Sequence, residues 1–148
     1  MNHFEFTGET KVFLGITLKR IKASISFGTI IKGEIGGWIE KEENLSGNAW
    51  VYGDAQVYGD AWVYGNARVY GDAWKKSPLH IMLTRWPLTV SSKTIITIGC
   101  NSLTLQQWNE QSDCIIKKEK MSKEEITEYK LAIEYAKQWM AIYCKKED

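Results

Sequence analysis

The 148-residue chain carries 19 Lys and Arg against 18 Asp and Glu, and 44% of its residues are apolar. That balance predicts one soluble globular unit, and it fits neither a membrane protein, a disordered tail nor a collagen-like fibre. A net charge of +1 offers no basic field for gripping DNA and no acidic surface to imitate it. The outliers are seven Trp and seven Tyr beside only two His and three Cys.

The first residues, Met1 to Phe6, show no basic stretch followed by an apolar one, so neither export nor membrane insertion is expected. Cys100, Cys114 and Cys144 lack CxxC spacing and a neighbouring His, which favours a reducing cytoplasm over a disulfide framework or a zinc site. Residues 1–38 read as a β cap: Phe4-Glu5-Phe6, a turn at Thr7-Gly8-Glu9, Val12-Phe13-Leu14, then Ile16 to Ala23. Trp38, after Gly36 and Gly37, reads as a plug over the open end of the segment that follows.

From Ala49 to Trp74 the text repeats every six residues as AWVYGD, AQVYGD, AWVYGN, ARVYGD, AW. A period of six does not suit one amphipathic helix; it suits short strands separated by Gly-Asp or Gly-Asn corners. The Asp54, Asp60, Asn66 and Asp72 row is therefore turn chemistry and not a carboxylate site. Residues 39–76 resemble the hexapeptide repeat of left-handed parallel β-helices, in which three hexads close one coil. The resemblance implies about two coils, with Val51 over Val69, Leu45 over Val63 and Ile39 over Val57. Trp50, Trp62 and Trp74 precede the inward position, and Tyr52, Tyr58, Tyr64 and Tyr70 follow it. All seven are expected to coat the outside, where so much aromatic surface favours cover by another layer or by a partner copy, a trimer being preferred.

Ser77-Pro78 ends the repeat, and residues 77–148 form the third segment. Leu79 to Thr84 and Thr94 to Ile98 read as a hairpin closed by Gly99-Cys100, with Trp86-Pro87 in its long tip. Thr104 with Gln107 and Ser122 with Glu125 have capping-box spacing and predict two helices. The second carries one apolar stripe at Ile126, Tyr129, Ile133, Ala136, Met140 and Tyr143, and another at Ala132, Tyr135, Trp139 and Ile142. Two stripes predict packing on two surfaces, the helix's own sheet and either the repeat or a neighbouring subunit. The fold class is thus mixed and mainly β: a short β-helix, an N-terminal β cap, and a C-terminal hairpin with two helices.

Catalytic and phosphate-loop motifs are missing from the text. Hexapeptide acyltransferases use a His between trimer subunits, whereas His3 and His80 both lie outside the repeat, so that reading ranks last and no catalytic residue or cofactor is assigned. End to end, "FTGET", "TLKRIKA", "GGWIEKEENLSGNAWVYGDA", "SPLHI", "IGC" and "EEITEYKLAIEYAK" resemble small hexapeptide-repeat proteins of bacteriophages and prophages. In proteins of that layout the segment after "SPL" carries a Gly-Ser-Arg/Lys-His loop, and the segment after "IGC" a Thr and a downstream Trp. The matching residues here are Leu83-Thr84-Arg85-Trp86, with Thr89, and Thr104 with Trp108; Leu83 and Trp86 depart from the pattern.

Hydroxyls at Thr84, Thr89 and Thr104, the Arg85 cation and the Trp86 plane form a candidate site for a phosphate and a stacked base. A plainer reading makes Arg85 and the threonines hairpin surface and capping residues. The leading expectation is a noncatalytic, oligomeric phage accessory protein of the host cytoplasm. It would sequester a small anionic or nucleotide-like ligand and so counter a host defence signal. The alternative is a protein-binding inhibitor of a host defence effector, acting through the aromatic faces.

Overall fold

The computed structural model describes residues 2–99 and 101–144, so Cys100, expected to close a hairpin strand, lies outside the described residues. Among the described residues the chain is mainly β, with two helices and three sheets, none closed into a barrel. It divides into two compact units between Pro78 and Leu79.

In the first unit, β1 (Phe4–Phe13) and β2 (Ile16–Ala23) form an antiparallel hairpin. Its turn is Leu14-Gly15, both left-handed at φ 51° and 78°, as a two-residue hairpin turn requires. Thr7-Gly8-Glu9, expected to be the turn, is a register irregularity within β1, where the Glu9 amide donates to Thr7 Oγ1 at 3.1 Å. β3 (Ile35–Ile39) pairs antiparallel with β2 on one side and parallel with β5 (Gln56–Val57) on the other, which ties the hairpin to the repeat.

The repeat forms short parallel contacts at the expected spacing. Ile39 pairs with Val57, Leu45 with Val63, and Val51 of β4 (Trp50–Val51) with Val69 of β6 (Arg68–Val69). These six side chains are at most 2% exposed, and Ala49, Ala55, Ala61 and Ala67 are buried beside them. Asn44, in a single 3-10 turn at Glu42–Asn44, ties the first corner to the next layer: its amide donates to Ala61 O at 2.8 Å and Gly59 O at 3.2 Å.

The register breaks at the last corner. Asp72 takes the left-handed conformation (φ 68°), and Val57 pairs with Trp74 of β7 (Ala73–Trp74) where a spacing of eighteen would place Lys75. Trp74 therefore occupies the phase of the buried aliphatics and is 6% exposed, its indole N–H donating to Gly71 O at 2.8 Å. Trp38 is no end plug either. It lies on the opposite phase, buried with Leu18 and Tyr58 against the hairpin, with Lys11 Nζ 4.4 Å from its ring.

Of the two glycines before Trp38, Gly36 makes room for a different indole and Gly37 for the neighbouring strand. A Cβ at Gly36 would lie 2.7 Å from Trp50, and one at Gly37 would lie 2.7 Å from Val51 and from Ala55 O. Trp50 is fully buried, edge-on to Phe27 at 5.6 Å and 6.4 Å from His3, whose Nε2 donates to Ala49 O at 2.8 Å.

The second unit is a four-stranded antiparallel sheet and two helices, where one hairpin was expected. Its strands β8 (His80–Met82), β9 (Pro87–Val90), β10 (Ile96–Ile98) and β11 (Asn101–Leu103) lie in the order β11-β10-β9-β8. Pro87, expected in a tip, opens β9, a position that tolerates the missing N–H. α1 (Leu105–Lys118) and α2 (Lys123–Tyr143) follow, capped by Thr104 and Ser122 with both reciprocal hydrogen bonds in place. α1 packs against β11 and α2 against β9.

Candidate functional site

Alternation along β9 and β10 separates an apolar face, with Leu88, Val90, Ile96 and Ile98 buried, from a polar one. Trp108 of α1, 1% exposed, donates its indole N–H to Ile96 O at 2.9 Å and meets Tyr129 of α2 edge-on at 6.0 Å. Burial raises the Tyr129 phenol above its ordinary value, a shift opposed by a hydrogen bond with Ser112. These contacts hold the two helices over the sheet and fix what α2 presents on its other side.

The five residues expected to converge on a ligand are held in three different settings. Thr89 lies on the polar face, 3% exposed, with His80 Nδ1 at 2.7 Å from its hydroxyl. Thr97 pairs opposite Thr89 and continues the row to Ser91 (2.7 Å) and Ser102 (2.9 Å). Burial lowers the His80 imidazole below its ordinary value. Thr104 is an N-cap, its hydroxyl accepting from the Gln107 amide at 3.2 Å. Only Thr84, Arg85 and Trp86 stay together.

Those three residues are fastened to the helices. Thr84 donates its amide to Glu128 Oε1 at 3.1 Å and its hydroxyl to Glu128 Oε2 at 2.8 Å. Arg85 donates to Glu119 O at 2.8 Å and reaches the Glu119 and Glu125 carboxylates at 3.5 Å each. The Ser122 amide is the main reason that the Glu125 carboxyl sits below its usual value, with Arg85 adding to the effect. The guanidinium also lies 4.4 Å from the Trp86 ring centre, and the indole rests on Gly99, where a Cβ would come within 3.0 Å of it. The clefts on either side of Trp86 hold only about 30 and 10 Å³, room for a water at most.

A larger concavity lies next to this loop. An open groove of about 800 Å³ runs between the edge strand β8 and α2, with Ile81 and Leu83 on one wall and Leu131, Ala132 and Tyr135 on the other. Lys123, Glu124 and Glu128 border it at the N-terminal end of α2. Leu131 is 67% exposed, Tyr135 55% and Ile142 62%, whereas Tyr129, Ala136 and Met140 are buried on the side facing away from the groove and Ala132 is buried at its base. The second apolar stripe of the sequence is thus largely open, except for Ala132. Sequence reasoning missed Leu131, although it stands four residues before Tyr135 on the same side of the helix, and it missed the Ile81 and Leu83 wall, for which the text carries no signal.

No protein-family model, curated protein or solved structure matches the chain. The geometry above therefore carries the functional argument alone. Among the described residues, no helix is long and apolar enough to cross a membrane.

The seven repeat aromatics, all expected on the outside under another layer or a partner copy, divide, and Trp74 departs from that expectation by turning inward. Trp50, Tyr58 and Trp74 are buried by the chain itself: Phe27 and His3 lie against Trp50, Phe13 stands 5.9 Å from Tyr58, and Trp74 fills the aliphatic phase. Tyr52 stacks on Tyr70 at 4.7 Å, and Trp62 leans on Tyr64 at 4.6 Å. Of these four, Trp62 (48%) and Tyr70 (40%) remain exposed. Burial, and then Tyr70, raise the Tyr52 phenol above its ordinary value.

Proposed function

We propose that this is a noncatalytic accessory protein of the phage type that acts by docking a protein surface in the groove between β8 and α2. Its stem is a two-coil left-handed parallel β-helix, a reading supported by the three parallel pairs eighteen residues apart. The observation that carries the function is the groove itself, which sets exposed Leu131 and Tyr135 beside Ile81 and Leu83. Complete burial of a Leu side chain stabilises by about 1.5–3 kcal/mol. Leu131, two-thirds exposed, retains most of that for a partner.

The test is binding of purified protein to a partner identified from host lysate and reconstituted from pure components. Leu131→Asp weakens that binding at least tenfold while Trp62→Ala leaves it unchanged. The reverse pattern would return the function to the repeat aromatics.

A second reading has one specific observation in its favour, the Arg85 guanidinium stacked over Trp86, a surface on which a nucleobase also stacks. Its phosphate would displace Glu119 and Glu125 from Arg85. Both contacts are long and partly exposed, so solvent screens them and they hold the guanidinium weakly. Under this reading Glu125→Gln tightens nucleotide binding in calorimetry and Arg85→Ala abolishes it. Absence of heat from both wild type and Glu125→Gln with cyclic nucleotides and ADP-ribose would end it.

A further inference from the structure

We infer that the groove takes an extended peptide segment of the partner protein, added as a further strand along the open edge of β8 with its apolar side chains turned toward α2. The inference rests on the groove reading above and names the form of its occupant. The sheet order β11-β10-β9-β8 leaves β8 paired on one side only among the described residues. Leu79 O accepts from the Val90 amide and the Leu83 amide donates to Trp86 O, both at 2.9 Å, so Leu79 and Leu83, and Ile81 between them, bond toward β9. Antiparallel alternation therefore turns the main-chain N–H and C=O of Met82 outward, along the open edge. Two residues on, where the strand has ended, Thr84 donates its amide to Glu128 Oε1 of α2 at 3.1 Å, which closes the edge at that end.

The open edge and the open helix side call for the same occupant. Ile81 stands opposite Leu88, so Ile81 and Leu83 lie on the apolar face of the sheet, over which α2 packs. Neighbouring strands lie about 4.8 Å apart, so a strand added beyond β8 would continue the sheet along the groove and send every second side chain toward Leu131 and Tyr135. A helix in that place would cover the apolar walls and leave the Met82 main chain to water. Edge strands are commonly guarded by Lys, Pro or a bulge, and His80-Ile81-Met82 carries none of these. Charge agrees with an apolar segment: Thr84 holds Glu128 through two hydrogen bonds, and the Lys123 and Glu124 charges beside it offset one another. Main-chain hydrogen bonds would then supply affinity, and the groove would select the side chains at alternate positions. A second copy of this chain, pairing β8 with β8, is the competing occupant.

Peptides selected on the purified full chain from a random library test this. The expected ligands carry apolar residues at alternate positions, and a synthetic copy of one slows hydrogen exchange of the Met82 amide at least tenfold, read by NMR. Met82→Pro, which removes an N–H that β9 does not use, weakens binding at least tenfold, and Met82→Ala leaves it unchanged. Backbone N-methylation of the peptide reads the same contact without altering the chain: methyl groups on one alternate set of residues abolish binding, and those on the other set leave it intact. A library that yields no ligand, ligands whose apolar residues follow helical spacing, Met82 exchange indifferent to the peptide, or a ligand-free chain that doubles its mass through β8 would overturn the proposal. Binding of the reconstituted host partner that falls with Leu131→Asp but ignores Met82→Pro would overturn the added strand and leave the groove reading standing. Binding indifferent to both variants would end the groove reading as well.

Discussion

Trp50 and Trp62 occupy equivalent places in the six-residue repeat, yet Trp50 is completely buried and Trp62 is 48% exposed. The same contrast separates the first unit from the second. In the repeat the period settles which residues stack, but it says nothing about which corner the non-repeating hairpin and loop will cover. In the second unit no period exists, and an apolar residue is buried or open according to which side of α2 its spacing selects. A repeat thus reveals register before environment, whereas a helix reveals its faces before its partners.

The largest expected effect breaks the equivalence of the two tryptophans. Trp50→Ala destabilises by about 3–5 kcal/mol in urea unfolding and Trp62→Ala by less than about 1 kcal/mol. Trp50→Phe recovers part of the loss, since the Trp50 indole nitrogen meets no hydrogen-bond partner among the described residues. Equal losses at the two positions would mean that Trp62 is covered as well.

Glycines sharpen the same contrast. Gly36→Ala costs about 1–3 kcal/mol because its Cβ would strike Trp50, Ile21 and Val51 O at 2.7–2.8 Å. Gly53→Ala, with open space around it and φ of +53°, costs about 1–2 kcal/mol through backbone strain alone. A Tm series that includes the double substitution Gly36→Ala/Trp50→Ala checks the cause, because relief of the Gly36 penalty in that background identifies the indole as the obstacle.

In the second unit Ser122→Ala costs about 1 kcal/mol through loss of the α2 cap, measurable as a fall in thermal midpoint. The smallest effect is the pH dependence of His80. Burial lowers its folded pKa, so the unfolded chain binds the proton more readily. The stability it contributes is complete above the ordinary value of about 6.5 and is lost as pH falls through that value toward the lowered one. His80→Gln should flatten the decline in urea midpoint between pH 7.5 and 5; an unchanged slope would assign the decline to other groups.

Much of the fold was legible because it is written locally. The stacking of Val51 on Val69, of Leu45 on Val63 and of Ile39 on Val57 follows from counting, and both helix starts follow from capping boxes. Strand β9 was obscured by the Trp86-Pro87 pair, whose turn character holds for Trp86 but not for a proline opening a strand. The one-residue slip at Asp72 was hidden because Gly71-Asp72 has the same text as the earlier corners. The candidate site was the least legible part. Residue types suited to an anion, at Thr84 and Arg85, carry no mark of the carboxylates that tertiary folding brings to them from α1 and α2, and a sequence shows neither a groove nor what fills it.

Side-chain footprinting by hydroxyl radicals, with and without the reconstituted host partner, tests most directly whether this molecule works through α2 or through its repeat. Leu131 and Tyr135 should lose reactivity when the partner is added, while Trp62 and Tyr70 stay reactive and Trp50 stays protected throughout. Protection appearing at Trp62 and Tyr70, with Leu131 and Tyr135 unchanged, would contradict the account and place the working surface on the repeat.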